Sequence, residues 1–313
     1  VGQGNLWGLI GIVSDTKVGV DGGYIYHPEY VKMVERGQTA HLPDPYDPTP
    51  IQQGIGVYYT NLIVGDVDFA IIEDRKFKTG PNGKIPQQGP RPDHIRNPDY
   101  DPASIDLEGL TLLGERQLTF LNDWATQQDG VAMKAVLSQT GFCGGAHLHG
   151  KKDNRLHADL DSNGWPQTGR NKALEAINKA GAVHIGGDQH LATVIKHGID
   201  EHRDGPWAFI VPALVNNYYS RWWWPEDEAA GGNHDPNNAL PWTGDYLDGF
   251  DNKITMQAYV NPESPSSGSG YGLIRFNKVA NEVTFECWPR DVDVTNGTAE
   301  QFTGWPITVA LRD

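Results

Sequence analysis

Between residues 133 and 187 the chain passes from an apolar run, "MKAVLSQT", through a helical pattern, "GRNKALEAINKAG", into a second apolar run, "AVHIGG". Alternation of this kind limits a chain to layered α/β folds, because each amphipathic helix must bury its stripe on a sheet. Upstream, "GVYYTNLIV" and "VDFAIIED" read as two strands joined by a Gly65-Asp66 turn. "LLGERQLTFLNDWATQ" has apolar residues at helical spacing and reads as a helix, and Gly181 is a suitable C-cap for the later one. At the far end "GYGLIRFNKVANEVTFECWPR" reads as a hairpin turning at Ala280-Asn281. Strands alternate with helices in the middle and meander at the end. The expectation is therefore an α/β sandwich of two mixed β-sheets flanked by helices, rather than a simple doubly wound sheet. The 313 residues, 38% of them apolar, suffice for one such domain spanning 1–313. Residues 37 to 56 and 79 to 106, rich in Pro, Asp, Gly and Gln, read as surface loops. A third irregular stretch, 216–250, reads as an ordered aromatic-rich insertion covering the mouth of a cleft.

One turn stands out chemically. In "HIGGDQHLATV" the strand expected at 182–186 meets two glycines, and Asp188 and His190 follow one residue apart. Functional side chains collect at strand ends in layered α/β folds, and glycines allow close backbone approach. A carboxylate and an imidazole at i and i+2 can face one cation; a turn-forming Asp and a capping or core His would give the same pattern. The net charge of −15 argues against a nucleic-acid-binding patch and an anionic membrane surface, and is compatible with divalent cations. No run approaches the length of a membrane-spanning helix. Cys143 and Cys287 are too few for a cysteine zinc site and read as two thiols or one disulfide. Asn296-Gly-Thr fits a glycosylation sequon. The opening "VGQGNLWGLIG" carries no signal-peptide pattern and starts on Val1, leaving processing, a nick or a truncated chain open.

Several segments in order, "DFAIIEDRKFKTGP", "LLGERQLTFLNDW", "DLDSNGWPQTGRNKALEAI", "HIGGDQHLATV", "VPALVNNYYSRWWWP" and "GYGLIRF", resemble the PhoD-like alkaline phosphatases. These are a branch of the calcineurin-like metallophosphoesterases. The likeness is to the C-terminal part of such a domain: "VGQGNLWG" is similar to the segment after an Asp-Asp-His-Asp strand, so the earlier metal motifs lie outside the chain. The resemblance implies hydrolysis of phosphate monoesters or diesters by a metal-activated water, with Ca, Fe, Zn or Mn as the metal and an extracytoplasmic location. It further implies that an N-terminal fragment or companion chain completes the site. A non-catalytic binding or assembly subunit retaining the fold is the alternative.

By the same resemblance Asp188 and His190 occupy the late metal motif, His190 also acting in catalysis. His147 and His149, in the glycine loop "SQTGFCGGAHLHG", are candidate metal and catalytic histidines respectively, with surface histidines the plainer alternative. Gln3 and Asn5 could offer amide oxygens to a metal or simply form a turn. Asp74-Arg75 resembles a family strand end and reads as an internal ion pair before a phosphate contact. Arg170 could bind anionic substrate or tether the Asp161 loop. Tyr219 and Trp222, in the run Tyr218, Tyr219, Trp222, Trp223 and Trp224, could wall a substrate cleft, although packing is the more frequent use of such residues.

Overall fold

A computed structural model describes residues 26–127, 130–145, 148–149, 155–214, 221–225, 231–261, 263 and 268–311. Its helices are α1 (Pro28–Thr39), α2 (Gly114–Thr126) and α3 (Gln167–Lys179). The first strands are β1 (Thr60–Val64), β2 (Val67–Ile71), β3 (His94–Ile95), β4 (Met133–Thr140), β5 (Leu148–His149) and β6 (Ala158–Asp159). They continue with β7 (Val183–Gly187), β8 (Thr193–His197), β9 (Trp207–Ile210) and β10 (Arg221–Trp222). The last are β11 (Gly244–Leu247), β12 (Lys253–Tyr259), β13 (Gly270–Asn277), β14 (Glu282–Pro289) and β15 (Ile307–Ala310).

Eight strands form one mixed sheet in the order β1-β2-β4-β7-β9-β8-β12-β11. Strands β2, β4, β7 and β9 are parallel; the outer pairings are antiparallel. A second sheet, β13-β14-β15, is antiparallel among the described residues. Side chains alternate across the large sheet. Met133, Ala135 and Val183 face the second sheet, packing with Phe209, Val283, Phe285 and Val309. Ala70 and Val136 point the other way, towards α2 and α3. The expected two-sheet sandwich with flanking helices is thus present.

The local reasons are chemical. On α2, Gln117, Phe120, Leu121, Trp124 and Ala125 fall on one stripe and are buried. Arg170, Ala173, Leu174 and Ile177 form the matching stripe of α3. Full burial of each large apolar side chain here contributes about 1.5–3 kcal/mol. The β1–β2 turn places Gly65 and Asp66 at φ 58° and 66°, the left-handed pair that a tight hairpin requires. Asn281 at φ 54° and Gly181 at φ 63° act where expected, in the last hairpin and after α3. Helix α1 was not foreseen: it starts with Pro28 behind a His27 cap and occupies part of what reads as loop. Cys143 and Cys287 are buried free thiols. No described helix is long and apolar enough to cross a membrane.

Two buried histidines sit beneath the helices. His184 packs 4.6 Å from the Phe142 ring, with Nε2 2.6 Å from Ser138 Oγ, and its ring lies 6.1 Å from that of His197. Burial lowers His184 to about 3, and burial followed by the Arg170 charge holds His197 well below its ordinary value. A folded-state value below the unfolded one means that the unfolded chain takes up more protons in acid. The stabilisation is therefore complete above about pH 6.5 and is lost on the way down. Asp74, raised by burial to about 6, acts with the opposite sign, so the histidine contribution must be read by difference. The stability advantage of wild type over His184→Gln, measured by urea unfolding, should shrink by about 2 kcal/mol between pH 7 and pH 5. A difference independent of pH would contradict the neutral buried histidine.

Candidate functional site

Adjacent parallel strands must all end on one edge, so the segments following β2, β4, β7 and β9 converge there. After β2 come Glu73, Asp74 and Arg75, fixed from α2 by Gln117, which accepts from Glu73 N at 2.8 Å and donates to Glu73 O at 2.6 Å. After β4 comes Thr140, whose N–H donates to Asp74 Oδ2 at 2.9 Å. After β7 comes the turn holding Asp188 and His190. Its glycines serve β4 first: a Cβ on Gly186 would sit 3.2 Å from the backbone of Thr140 and Gly141. The strand itself is Val183–Gly187, one residue beyond the expected 182–186.

Asp188 and His190 both have left-handed backbone, φ 68° and 53°. Non-glycine residues held there cost about 1–3 kcal/mol each and persist only where the surroundings enforce them. Between them Gln189 is 4% exposed, and neither of its amide atoms has a partner among the described residues. Asp188 is accessible to solvent, yet protein surrounds it closely: burial, and then the charge of Asp161, raise its carboxyl above the usual range. Arg75 and Arg221 act against that rise.

The loop around Asp159, Asp161 and Asn163 lines the same edge. Arg75 pairs with the Asp161 carboxylate and donates to its carbonyl at 2.8 Å. Lys78, fully buried, donates to Asp161 O at 3.0 Å and Ser162 O at 2.6 Å; burial and the neighbouring Arg75 lower it to about 7. The ion pair expected at Asp74-Arg75 is therefore made by Arg75 with Asp161. Arg170 corrects the substrate-binding expectation. It is 1% exposed and spends its donors on Phe142 O (2.9 Å), Gly198 O (2.9 Å) and Asn171 Oδ1 (2.7 Å), so it ties the segments after β4 and β8 to α3. Asp161 is tethered by Arg75 and Lys78 instead.

The aromatic segment reaches this edge through Arg221. Its N–H donates to His190 O at 3.1 Å, and in the β10–β5 ladder it lies opposite His149. The backbone thus brings His149 and His190 to either side of one residue. Arg221 Nη1 also donates to Asp159 Oδ2 at 2.7 Å. Trp222, half-buried, follows on β10. Trp223 is core, donating to Trp242 O at 2.9 Å, and Trp224 packs 4.7 Å from the Trp242 ring. Asn5, His147 and Tyr219, with Gln3, lie outside the described residues.

Arg221 and Asp159 were missed because one is embedded in an aromatic run and the other lies beside Asp161 in a segment noted only for its likeness. Asp93 and His94 were missed because they sit in a Pro-rich loop. Together with Asp159 they bring one ligand atom each within 4.8 Å of one another.

The two-sheet α/β architecture, with its charged edge after the parallel strands, is shared with a solved structure. It superposes on the structure of PhoD with a TM-score of 0.52 at 12% sequence identity, over 95% of this chain and 51% of that one. At that identity the likeness establishes a shared fold, and the chain spans about half of PhoD's length. Purple acid phosphatase PPD1 from yellow lupin (Lupinus luteus) seeds aligns at 9% identity and a TM-score of 0.41, over 84% of this chain and 34% of that one. No family model and no curated protein sequence matches the chain.

The left-handed turn yields a stability test. His190→Gly should be more stable than His190→Ala by about 1 kcal/mol in urea unfolding, because glycine alone adopts this backbone without a Cβ clash. Equal stability of the two variants would show that the turn relaxes when the imidazole is removed.

Proposed function

We propose that the chain is the C-terminal portion of a metal-dependent phosphoric-ester hydrolase. The observation that carries this reading is the turn after β7, where Asp188 and His190 are held in unfavourable backbone beside Arg75 and Arg221. An oxygen and an imidazole donor are chemically suited to a divalent or trivalent metal, and His149 is carried alongside on the β5–β10 ladder. Metal bound there would polarise the ester and supply a hydroxide. The chain's own residues have separate tasks in this reading. Asp188 and His190 would hold the metal, while Arg75 and Arg221, paired with Asp161 and Asp159, would add positive charge beside the bound phosphate. His149 gives a proton to the leaving oxygen. Trp222, with Tyr219, would wall the organic side of the ester.

These donors are too few for a two-metal centre, and the chain matches about half of PhoD. The remaining ligands, Asn5 and His147 among them, would come from other parts of this chain and from a preceding segment or companion chain. The half-length match also supports the second reading, a binding or assembly subunit without activity. Asp188→Asn and His190→Ala, in the protein together with whatever supplies the remaining ligands, should each lose metal and slow hydrolysis of a chromogenic phosphate ester together. Loss of even supporting contacts costs about 10–100-fold, and loss of a ligand at least as much. Folded variants with unchanged metal content and rate would make the turn structural and favour the second reading.

A further inference from the structure

The cluster of Asp93, His94 and Asp159 adjoins the Asp188 turn through Arg221, which donates to Asp159 Oδ2 through Nη1 and to His190 O through its backbone N–H, but none of the cluster's three side chains belongs to that turn. The β3–β6 ladder sets His94 directly opposite Asp159, and Ile95 opposite Ala158. Further backbone bonds tighten it: Leu160 N to Asp93 O and His157 N to Ile95 O, each 2.9 Å. Beneath it Ile95, Ala158, Ile85, Leu160, Trp165 and Phe250 form an apolar cluster, so the two short strands are mounted on a packed floor. The three side chains are buried, at 0% (Asp93), 8% (His94) and 4% (Asp159) exposure.

Two buried carboxylates at close range need positive charge, and two arginines provide it. Arg91 holds both oxygens of Asp93 through Nε at 3.0 Å and Nη2 at 2.8 Å. Arg221 holds Asp159 Oδ2, while Asp159 Oδ1 accepts from Asp161 N at 3.0 Å. The pairs differ in one respect: the Arg91 side chain is 44% exposed and that of Arg221 only 12%. A long exposed side chain can swing into water at little cost, which makes Arg91 the replaceable partner.

We propose that Asp93, His94 and Asp159 form a divalent-cation site, filled by exchange of the cation for Arg91. One imidazole nitrogen and two carboxylate oxygens are a mixed donor set, suited to Zn or Mn rather than to Ca or Mg, which favour oxygen alone. Three protein donors leave a fourth position for water. His94 Nε2 lies 3.7 Å from Asp93 Oδ2. Donors in tetrahedral Zn sites stand about 3.4 Å apart, as bond lengths near 2.1 Å require; the three donor atoms lie within 4.8 Å of one another, so side-chain closure of up to about 1.4 Å would bring them to that spacing. The site does not depend on phosphatase chemistry at Asp188.

The test is chelator treatment of the protein followed by titration with Zn2+ and Mn2+, reading stoichiometry by elemental analysis and affinity by calorimetry. His94→Gln should lose one equivalent, or bind it about 10–100-fold more weakly. Asp188→Asn should retain that same equivalent, which separates this site from the one proposed for hydrolysis. Arg91→Ala should bind it on the order of tenfold more tightly, because a competing cation is gone. A purely structural ion pair would give no such gain, and Arg91, at the surface, is a substitution the fold tolerates even if His94→Gln unfolds. Wild-type stoichiometry and affinity in a folded His94→Gln variant, or no gain in Arg91→Ala, would overturn the proposal.

Discussion

Parallel pairing of β2, β4, β7 and β9 is the constraint on which the rest of the molecule depends. Parallel neighbours run in one direction, so their C-terminal ends, and the segments that leave them, are forced onto one edge. Residues more than a hundred positions apart, Asp74 and Asp188, thereby share a neighbourhood. The glycines at 186 and 187 matter because they let β7 lie against the end of β4 where the register shifts between Leu137 and Thr140. Larger residues there would push the Asp188 turn away from Thr140 and Gly141.

Charge is the second organising feature. The edge holds Asp74, Asp159, Asp161 and Asp188 against Arg75, Lys78 and Arg221, several of them buried. Burying carboxylates is costly unless each is paired or hydrogen-bonded, and most of these are. Asp188 differs in being open to solvent while its neighbours are not. The pairs around it hold the loop carrying Asp159 to Asn163 in place.

The secondary structure was largely legible. Strand and helix periods are local, and the Gly65-Asp66 and Asn281 turns announce themselves in the chain, as do the stripes on α2 and α3. The Asp188 turn was legible for the same reason: glycines next to an acid and a histidine at a strand end. Helix α1 was missed although Pro28 and His27 marked its start, because the Pro- and Asp-rich stretch that follows dominated the reading. Arg170 misled because an arginine at a helix start looks the same in sequence whether it faces a ligand or a neighbouring carbonyl.

What the sequence determined by itself was the layered α/β class, the elements and one chemically suggestive turn, since all of these rest on spacing within a few residues. Only the tertiary structure decided which distant groups meet. It paired Arg75 with Asp161, turned Arg170 inward onto Phe142 and Gly198, and brought Arg221 between His149 and His190. It also placed His94 across from Asp159 through a ladder of two residues in each strand, far too short to show a period. Each of these contacts joins residues brought together by sheet order and loop closure, and no local pattern encodes a partner that lies elsewhere along the chain.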